Sequence, residues 1–324
     1  MAPAEIPKAR KIIEQSSRIF TIGVAGDSGS GKTTFTRAIR EIFGADIVSS
    51  ITLDDYHILD REQRRARRVT PLAPESNDIA RLERDFAELK AGHSIMKPVY
   101  NHVRGTIDPP VPFTPTKILI LEGLHTFFTP KLRECLDIKI FVDPDWAVKR
   151  FWKIQRDMEV RGYRRQEIVD ELEDRAQDYQ RYVAPQMAYA DATIHISFSK
   201  YGEELGPERN IYHVSLSQSR LPRMVSNVDL PIDLSDLLSL SERGFLLEFS
   251  AQEANGSECG VLTFDGEIRY DVFHRLEQLV EEQVEMHPIS LFHEREFLTG
   301  TEITQLLLAW RIINKRIFME PEPA

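Results

Sequence analysis

Cysteine is scarce in this chain, with only Cys135 and Cys259 among 324 residues. The two cysteines are far apart and lack CxxC spacing, which excludes a disulfide framework and a cysteine-based zinc site. Long apolar runs are also missing, since none approaches the length of about 18 residues that a membrane-spanning helix needs. Residues 1–18 are polar and helix-like, without the apolar centre of a signal peptide. We therefore expect a soluble, cytoplasmic protein.

Positive charge is in deficit as well. The chain carries 51 acidic and 41 basic residues, which gives a net charge of -10. This balance argues against nonspecific binding to nucleic acid or to an anionic membrane, so we expect neither as a partner. Positive charge that does cluster is then expected to serve a local function.

Strand-like and helix-like segments alternate through about the first 200 residues, which is typical of a mainly parallel sheet flanked by helices. The strand candidates are 19–25, 47–51, 117–121, 138–142 and 192–197, and the helix candidates are 79–89, 143–162 and 165–182. The proline-rich segment 108–115 is predicted to be a rigid connector without regular structure, because proline fixes φ and lacks a backbone donor.

The composition changes beyond about residue 200, where glycine and proline turns separate shorter segments. Strand-like runs occur at 211–216, 245–249 and 261–264, and helical patterns at 271–285 and 301–317. We therefore predict an α/β fold, with a core over residues 1–200 and a mixed α+β extension over residues 201–324.

Residues 26–33 form a glycine-rich loop between a strand-like and a helix-like run. They match Gly-x-x-x-x-Gly-Lys-Thr at every fixed position. In such a P-loop, backbone amides hold phosphate oxygens, the lysine neutralises the β- and γ-phosphates, and the threonine hydroxyl binds Mg²⁺. The sequence therefore predicts a site for ATP and Mg²⁺. The nucleotide-binding candidates are Gly26, Asp27, Ser28, Gly29, Ser30, Gly31, Lys32, Thr33 and Thr34.

Carboxylates follow two other predicted strands. Asp54 and Asp55 lie in a Leu-Asp-Asp-Tyr-His segment, and Glu122 ends the apolar central strand. Ligands bind beyond the carboxyl ends of strands in an open parallel sheet. A kinase that acts on an alcohol needs a base for the hydroxyl proton and a metal that bridges the phosphates. Asp54 is the candidate base, with Asp55 as its competitor, and the metal candidates are Thr33, Glu122 and Asp54.

Histidines and arginines follow the same strands and the Lys-Pro-Val-Tyr-Asn-His segment after them. In an acidic protein, an arginine cluster beside a candidate base can receive an anionic substrate. The substrate-binding candidates are His57, Arg61, Arg64, Tyr100, His102 and His125. The alternatives are hydrogen-bonded structural histidines and a solvated arginine surface.

Four charged residues share one face of the helix predicted over 143–162, because their spacing follows the helical repeat. They are Lys153, Arg156, Asp157 and Arg161. Apolar residues lie between them and a glycine follows, so this segment resembles a lid that closes positive charge over ATP and excludes water. We assign these four residues a catalytic role, together with Lys32 and Asp54. The alternative is a solvated face with i, i+4 ion pairs.

These motifs resemble the phosphoribulokinase family, whose members phosphorylate ribulose 5-phosphate on O1 with MgATP. The strings that carry the likeness are Leu-Asp-Asp-Tyr-His at 53, Lys-Pro-Val-Tyr-Asn-His at 97, Glu-Gly-Leu-His at 122, Lys-Ile-Gln-Arg-Asp-Met-Glu-Val-Arg-Gly at 153 and Ala-Pro-Gln-Met-Ala-Tyr-Ala-Asp at 184. The resemblance covers nearly the whole chain and is clearest from 20 to 197.

The resemblance implies a P-loop kinase core, ribulose 5-phosphate as the acceptor, a place in carbon fixation, and a homodimer to which the extension contributes. It also implies that Asp54 is the base, that His57 and Arg61 serve the sugar phosphate, and that Glu122 belongs to the metal and nucleotide site. The four charged residues at 153–161 match the residues of the family's lid.

Other kinases share part of this pattern. Uridine kinase and pantothenate kinase also have the P-loop, the base and an arginine lid, so the histidines carry the distinction. Arginines and histidines suit an anionic sugar phosphate better than a nucleoside. A regulatory NTPase is a further alternative, but the chain lacks the Asn-Lys-x-Asp guanine signature. The P-loop also lacks the cysteine of the plant enzymes, which excludes a thioredoxin-type switch through that residue.

Overall fold

A computed structural model describes residues 8–159, 162–201, 211–232, 243–254, 257–286, 289, 291–292 and 295–319. The chain divides into two compact units. The first contains Ser17–Thr36 and Asp46–Ile194, and the second contains Met1–Ser16, Arg37–Ala45 and His195–Ala324, each as far as it is described. The division into a kinase core and an extension at residue 200 stays a prediction.

A parallel sheet forms the centre of the first unit. Its strands are β1 (Phe20–Ala25), β2 (Val48–Thr52), β5 (Ile118–Gly123), β6 (Ile138–Pro144) and the start of β7 (Ala192–Phe198). The order is β7-β6-β1-β5-β2, with β1 parallel to β5 and β6, and β2 parallel to β5. All residues of β1 are buried, as expected for a strand covered on both faces. The five predicted strands are confirmed.

Helices and short helical turns connect these strands. The helices are α2 (Lys32–Phe43, of which only the start belongs to this unit), α3 (Arg61–Arg67), α4 (Ile79–Lys90), α5 (Pro130–Cys135), α6 (Trp146–Glu159), α7 (Arg165–Asp174) and α8 (Ala176–Asp178). Short 3-10 turns occur at Leu53–Tyr56, Pro74–Ser76 and Ala184–Tyr189, and a π-helical turn at Tyr179–Val183. The helix predicted over 79–89 is confirmed, and it buries Leu82, Phe86 and Leu89 against the core.

The proline-rich segment forms a strand, so the prediction of an irregular connector was wrong. β4 (Thr106–Phe113) pairs antiparallel with β3 (Ile95–Asn101) in a separate two-stranded sheet. Proline cannot donate a ladder hydrogen bond, but a strand with a single neighbour tolerates it on the free edge. The pairing is irregular between Lys97 and Val99, on either side of Pro98. This hairpin carries the Tyr-Asn-His sequence of the candidate acceptor site.

The second unit contains antiparallel strands and longer helices. Its elements are α1 (Ala9–Gln15), β8 (Tyr212–Ser219), β9 (Phe245–Ala254), β10 (Ser257–Arg269), α9 (Tyr270–Val284), β11 (Phe297–Thr299) and α10 (Gly300–Ile317). β10 pairs antiparallel with β8, β9 and β11. The predicted strands and helices of this region are confirmed, and so is the α/β class with a mixed C-terminal part. No helix among the described residues is both long enough and apolar enough to cross a membrane.

Candidate active site

The P-loop connects β1 to α2. Gly26, Gly29 and Gly31 have φ values of 150°, 80° and 86°, a region that glycine adopts without steric cost. A Cβ at Gly29 would lie 3.2 Å from the Cβ of Lys153, so α6 packs directly on the loop. The Ser30 hydroxyl is buried and has no hydrogen-bond partner among the described residues. A buried donor without a partner in a glycine cradle fits a bound phosphate.

Lys32 folds back onto the P-loop. Its Nζ donates to the carbonyl oxygens of Gly26, at 3.1 Å, and Asp27, at 2.6 Å. Burial lowers the pKa of Lys32, whereas the nearby carboxylates of Glu122 and Asp54 act in the opposite direction. Both acids, one after β5 and one after β2, therefore act on the P-loop lysine, as expected for groups at the carboxyl ends of a parallel sheet.

The Glu122 carboxylate accepts hydrogen bonds from two hydroxyl groups at the start of α2. Thr33 Oγ1 and Thr36 Oγ1 each donate to its carboxylate at 2.8 Å. Magnesium binds oxygen ligands, often one or two carboxylates completed by phosphate oxygens and water. Within the described ranges, no cluster of three or more His, Cys, Asp or Glu residues could hold a metal alone. Thr33 and Glu122 therefore fit Mg²⁺ only together with nucleotide phosphates.

Thr36 was missed by the sequence analysis. It lies three residues after Thr33 on the same face of α2, and that spacing could have indicated it. Thr34 lies between them, and its backbone N–H donates to the Gly31 carbonyl at 3.0 Å.

The Asp27 side chain ties the P-loop to two helical segments. Its buried carboxylate lies 3.0 Å from Lys149 Nζ of α6 and accepts a hydrogen bond from Arg175, which follows α7. Burial acts to raise the pKa of Asp27, but Arg175 and Lys149 outweigh it and hold the pKa below its usual value. Neither cation was predicted from the sequence. Lys149 lies one turn before Lys153, which could have signalled it, whereas the approach of Arg175 depends on the tertiary fold.

The charged face of α6 is buried where it meets α7. Lys153 Nζ donates to Asp157 at 2.7 Å and lies 3.2 Å from Glu171. Arg156 donates to the other oxygen of Asp157 at 2.9 Å and reaches the Ser28 hydroxyl at 3.3 Å. Burial acts to raise the pKa of Asp157, but Arg156 and Lys153 lower it overall. The i, i+4 pair anticipated as an alternative exists, but it is buried and not solvated.

Arg161 lies outside the described residues, so its predicted place on this face stays a prediction. The glycine that follows it, Gly162, has a φ of 69°. α6 itself is shorter than the helix predicted over 143–162.

Asp54 and Asp55 lie in different environments. The Asp54 side chain is 31% exposed, and its carboxylate is 3.5 Å from His102 Nε2. The Asp55 carboxylate is buried, pairs with Lys97 and accepts a hydrogen bond from the Tyr100 backbone N–H at 3.0 Å. Asp55 therefore fixes β3 to the turn that follows β2, whereas the Asp54 side chain stays partly exposed beside His102.

This difference predicts the effect of Asp55→Asn. Loss of the charge-assisted contact to Lys97 should let β3 shift, which should raise the KM for the acceptor by about tenfold, because such a bond is worth roughly 1.5–3 kcal/mol. The KM for ATP should stay unchanged. Steady-state kinetics with each substrate varied in turn measures both values. A large loss of kcat with an unchanged acceptor KM would make Asp55 the base.

Aromatic rings line the side of the candidate acceptor site. The Tyr100 ring lies edge-on to His57 at 4.9 Å and to His102 at 5.1 Å, measured between ring centroids. Arg64 is buried and donates to the Tyr100 hydroxyl and the Leu59 carbonyl, both at 2.6 Å. It thereby holds Tyr100 in place.

His57 is also buried and partnered. Its Nδ1 lies 2.7 Å from the Asn77 side-chain oxygen, and burial lowers its pKa, against the opposing effect of Asp54. The anticipated alternative of hydrogen-bonded structural histidines therefore describes Nδ1 of His57, while its ring also packs on Tyr100.

His125 is buried, and both of its ring nitrogens lack a hydrogen-bond partner among the described side chains and backbone. Burial and the nearby His57 lower its pKa to about 4, although the Asp54 carboxylate acts to raise it. His125 is therefore neutral at physiological pH. One of its ring nitrogens can donate to an acceptor hydroxyl group and the other can accept.

The low pKa of His125 predicts a pH dependence of stability. Between the unfolded value of 6.5 and about 4, the unfolded chain binds a proton that the folded chain does not. The stability that neutral His125 supplies is therefore complete above pH 6.5 and lost as the pH falls towards 4, by about 2–3 kcal/mol in the free energy of unfolding.

Urea unfolding between pH 7 and 4.5 tests this dependence by comparing the wild type with His125→Gln. The variant should lose less stability over that range. The exposed His93→Gln serves as the control and should behave like the wild type. Equal pH slopes for wild type and His125→Gln would contradict the prediction.

The P-loop, the acid at the end of β5, the half-exposed aspartate after β2 and the cation-bearing α6 define a P-loop kinase. The Phosphoribulokinase / Uridine kinase family model matches residues 21–199, and the chain belongs to this family. It is therefore a kinase, an enzyme class that uses ATP.

Named relatives extend this likeness. Phosphoribulokinase of Synechocystis sp. is 36% identical over 306 residues, which cover 91% of this chain and 87% of the relative. Chloroplastic phosphoribulokinase of Mesembryanthemum crystallinum is 35% identical over 85% of this chain and 74% of its own length. Uridine kinase of Ligilactobacillus salivarius is 33% identical, but that match covers 53% of this chain and 83% of the relative.

A solved structure shows the same fold. The structure titled phosphoribulokinase from Rhodobacter spheroides matches with a TM-score of 0.54 at 18% sequence identity. The match covers 93% of this chain and 99% of the other. The match therefore includes residues of both compact units, whereas the match to uridine kinase covers about half of the chain.

Proposed function

We propose that the protein catalyses the ATP-dependent phosphorylation of ribulose 5-phosphate on O1, giving ribulose 1,5-bisphosphate. The observation that carries this proposal is the half-exposed Asp54 beside His102, whose backbone carbonyl accepts a 2.6 Å hydrogen bond from Arg61. A proton acceptor and a cation that can bind a phosphate group thus both contact His102. The coverage of the phosphoribulokinase relatives supports the same choice.

The nucleotide site is proposed to consist of the P-loop amides, Lys32, Thr33 and Thr34. Thr33, Glu122 and Asp54 would hold Mg²⁺, which would neutralise charge between the phosphates. The Lys32 ammonium would turn from the Gly26 and Asp27 carbonyls to phosphate oxygens. Arg156, which reaches Ser28, would add positive charge at the same loop. Preorganised charge of this kind is the main contribution that a protein makes to phosphoryl transfer.

Asp54 is proposed to accept the proton from the O1 hydroxyl group as that oxygen attacks the phosphoryl group. His57, Tyr100, His102 and His125 would surround the sugar, and Arg61 would bind its phosphate. Arg64 would act on the substrate only through Tyr100, because its own guanidinium is used to hold that ring.

The wider setting rests on the likeness to phosphoribulokinases. We propose a cytoplasmic enzyme of carbon fixation that works as a homodimer. Sedimentation equilibrium at several protein concentrations tests the dimer, and a single species of monomer mass would contradict it.

A panel of acceptors tests the proposed reaction. ADP release should be much faster with ribulose 5-phosphate than with uridine, ribulose or no acceptor. Equal or faster turnover of uridine would favour a nucleoside kinase. ATP hydrolysis at the same rate with and without each acceptor would favour a regulatory NTPase.

A further inference from the structure

Arg61 is the first residue of α3, and its side chain packs against the β3–β4 hairpin. Its Nη2 donates to the His102 carbonyl at 2.6 Å, and its backbone N–H donates to the Gly105 carbonyl at 2.9 Å. Gly105 has a φ of 73°, and a Cβ there would lie 2.8 Å from Cζ and Nε of the Arg61 side chain. Two sides of the guanidinium are therefore fixed by the hairpin.

Tyr163 lies on a third side of the Arg61 guanidinium. The Arg61 Cζ atom is 5.4 Å from the centroid of the Tyr163 ring, within the range of a cation–π interaction. Tyr163 follows Gly162, and its backbone N–H donates to the Asp157 carbonyl at 3.1 Å. The ring position is therefore tied to the end of α6, the helix that packs on the P-loop.

The contact with Tyr163 leaves the hydrogen-bonding capacity of Arg61 available. Among the described residues, Arg61 has no carboxylate partner, and its Nε and Nη1 atoms donate no hydrogen bond. A carboxylate in the place of Tyr163 would neutralise the guanidinium and occupy its donors. An aromatic face orients the cation without using any donor, so the N–H groups on Nε and Nη1 stay available for an anionic ligand.

We propose that Tyr163 is a positioning residue that orients Arg61 towards the phosphate group of the acceptor. This inference rests on the proposed function, because it assumes an acceptor that carries a phosphomonoester. Tyr163 acts through Arg61 and touches neither the reacting hydroxyl group nor ATP. It links acceptor binding to the end of α6, a part of the chain that the sequence motifs did not connect with the acceptor.

Kinetics of Tyr163→Leu and Tyr163→Phe test this role. Tyr163→Leu should raise the KM for ribulose 5-phosphate by about three- to thirtyfold, which corresponds to the usual strength of such contacts, and change kcat and the KM for ATP by less than twofold. Tyr163→Phe keeps the aromatic face and should stay within about threefold of the wild type. Tyr189→Leu is the matched control, because it removes a similar cation–π contact outside the candidate site, in which the Arg133 Cζ atom lies 3.9 Å from the centroid of the Tyr189 ring. It should leave all three constants unchanged.

A double-mutant cycle separates this role from a general effect on folding. In an Arg61→Met background, Tyr163→Leu should cause no further rise in the acceptor KM, because its effect passes through the guanidinium. An additive effect, an equal loss in kcat, or an unchanged KM in Tyr163→Leu would overturn the inference. A wild-type enzyme that does not prefer ribulose 5-phosphate would instead refute the proposed function, so the two failures are distinguishable.

Discussion

Asp54→Asn should lower kcat by about two to four orders of magnitude, the range that general-base catalysis contributes, while ATP without Mg²⁺ still binds with its normal affinity. The amide cannot accept the proton of the attacking hydroxyl group, but the P-loop stays intact. The geometry supports this expectation, because the Asp54 carboxylate is partly exposed beside His102.

Two measurements check this expectation. Single-turnover kinetics with ribulose 5-phosphate and MgATP gives the chemical step, and calorimetric titration with ATP in the absence of Mg²⁺ gives the nucleotide affinity. Asp55→Asn is the matched control, since it removes the neighbouring charge and should act mainly on the acceptor KM. Near-normal turnover of Asp54→Asn would assign the proton transfer to another group.

Asp157→Leu should destabilise the folded protein by about 3 kcal/mol, because it leaves Lys153 buried with only part of its charge compensated. Glu171, at 3.2 Å from Lys153, supplies the remaining compensation, so the loss should lie at the lower end for a broken buried pair. Activity should fall as well, since Arg156 loses its hydrogen bond to Asp157.

A double variant separates stability from activity. Lys153→Met combined with Asp157→Leu removes both charges and should recover most of the lost stability in urea unfolding, yet stay poorly active. Glu159→Leu, an exposed acid on the same helix, is the control and should change stability by less than about 0.5 kcal/mol. Full activity in the double variant would show that the buried pair has only a structural role.

The sequence was sufficient for most of the fold because its strands are apolar runs and its helices have a clear 3.6-residue repeat. The apolar runs at 19–25 and 117–121 predicted strands, and they form the buried strands β1 and β5. The proline-rich segment misled the prediction because the rule against proline holds for central strands. The local sequence does not indicate that β4 pairs only with β3 among the described strands.

The candidate site could be predicted where its polar residues directly follow the ends of strands. Glu122 and Thr33 meet because β5 lies parallel beside β1, so that the carboxyl ends of both strands share one edge of the sheet. The difference between Asp54 and Asp55 did not follow from their order, since it depends on Lys97, more than forty residues away. Helical spacing placed Lys153 and Asp157 on one face but could not indicate that α7 covers that face.

The prolines of β4 have a consequence for the behaviour of the protein in solution. A strand with one neighbour presents unpaired amides along its outer edge, and such an edge recruits strands from other molecules. Three of the eight residues of β4 are prolines, which have no amide to offer. Ile107 and Val111 on the same strand are exposed and would otherwise make this edge adhesive. The segment that looked too irregular to form a strand thus protects the molecule against aggregation through that strand.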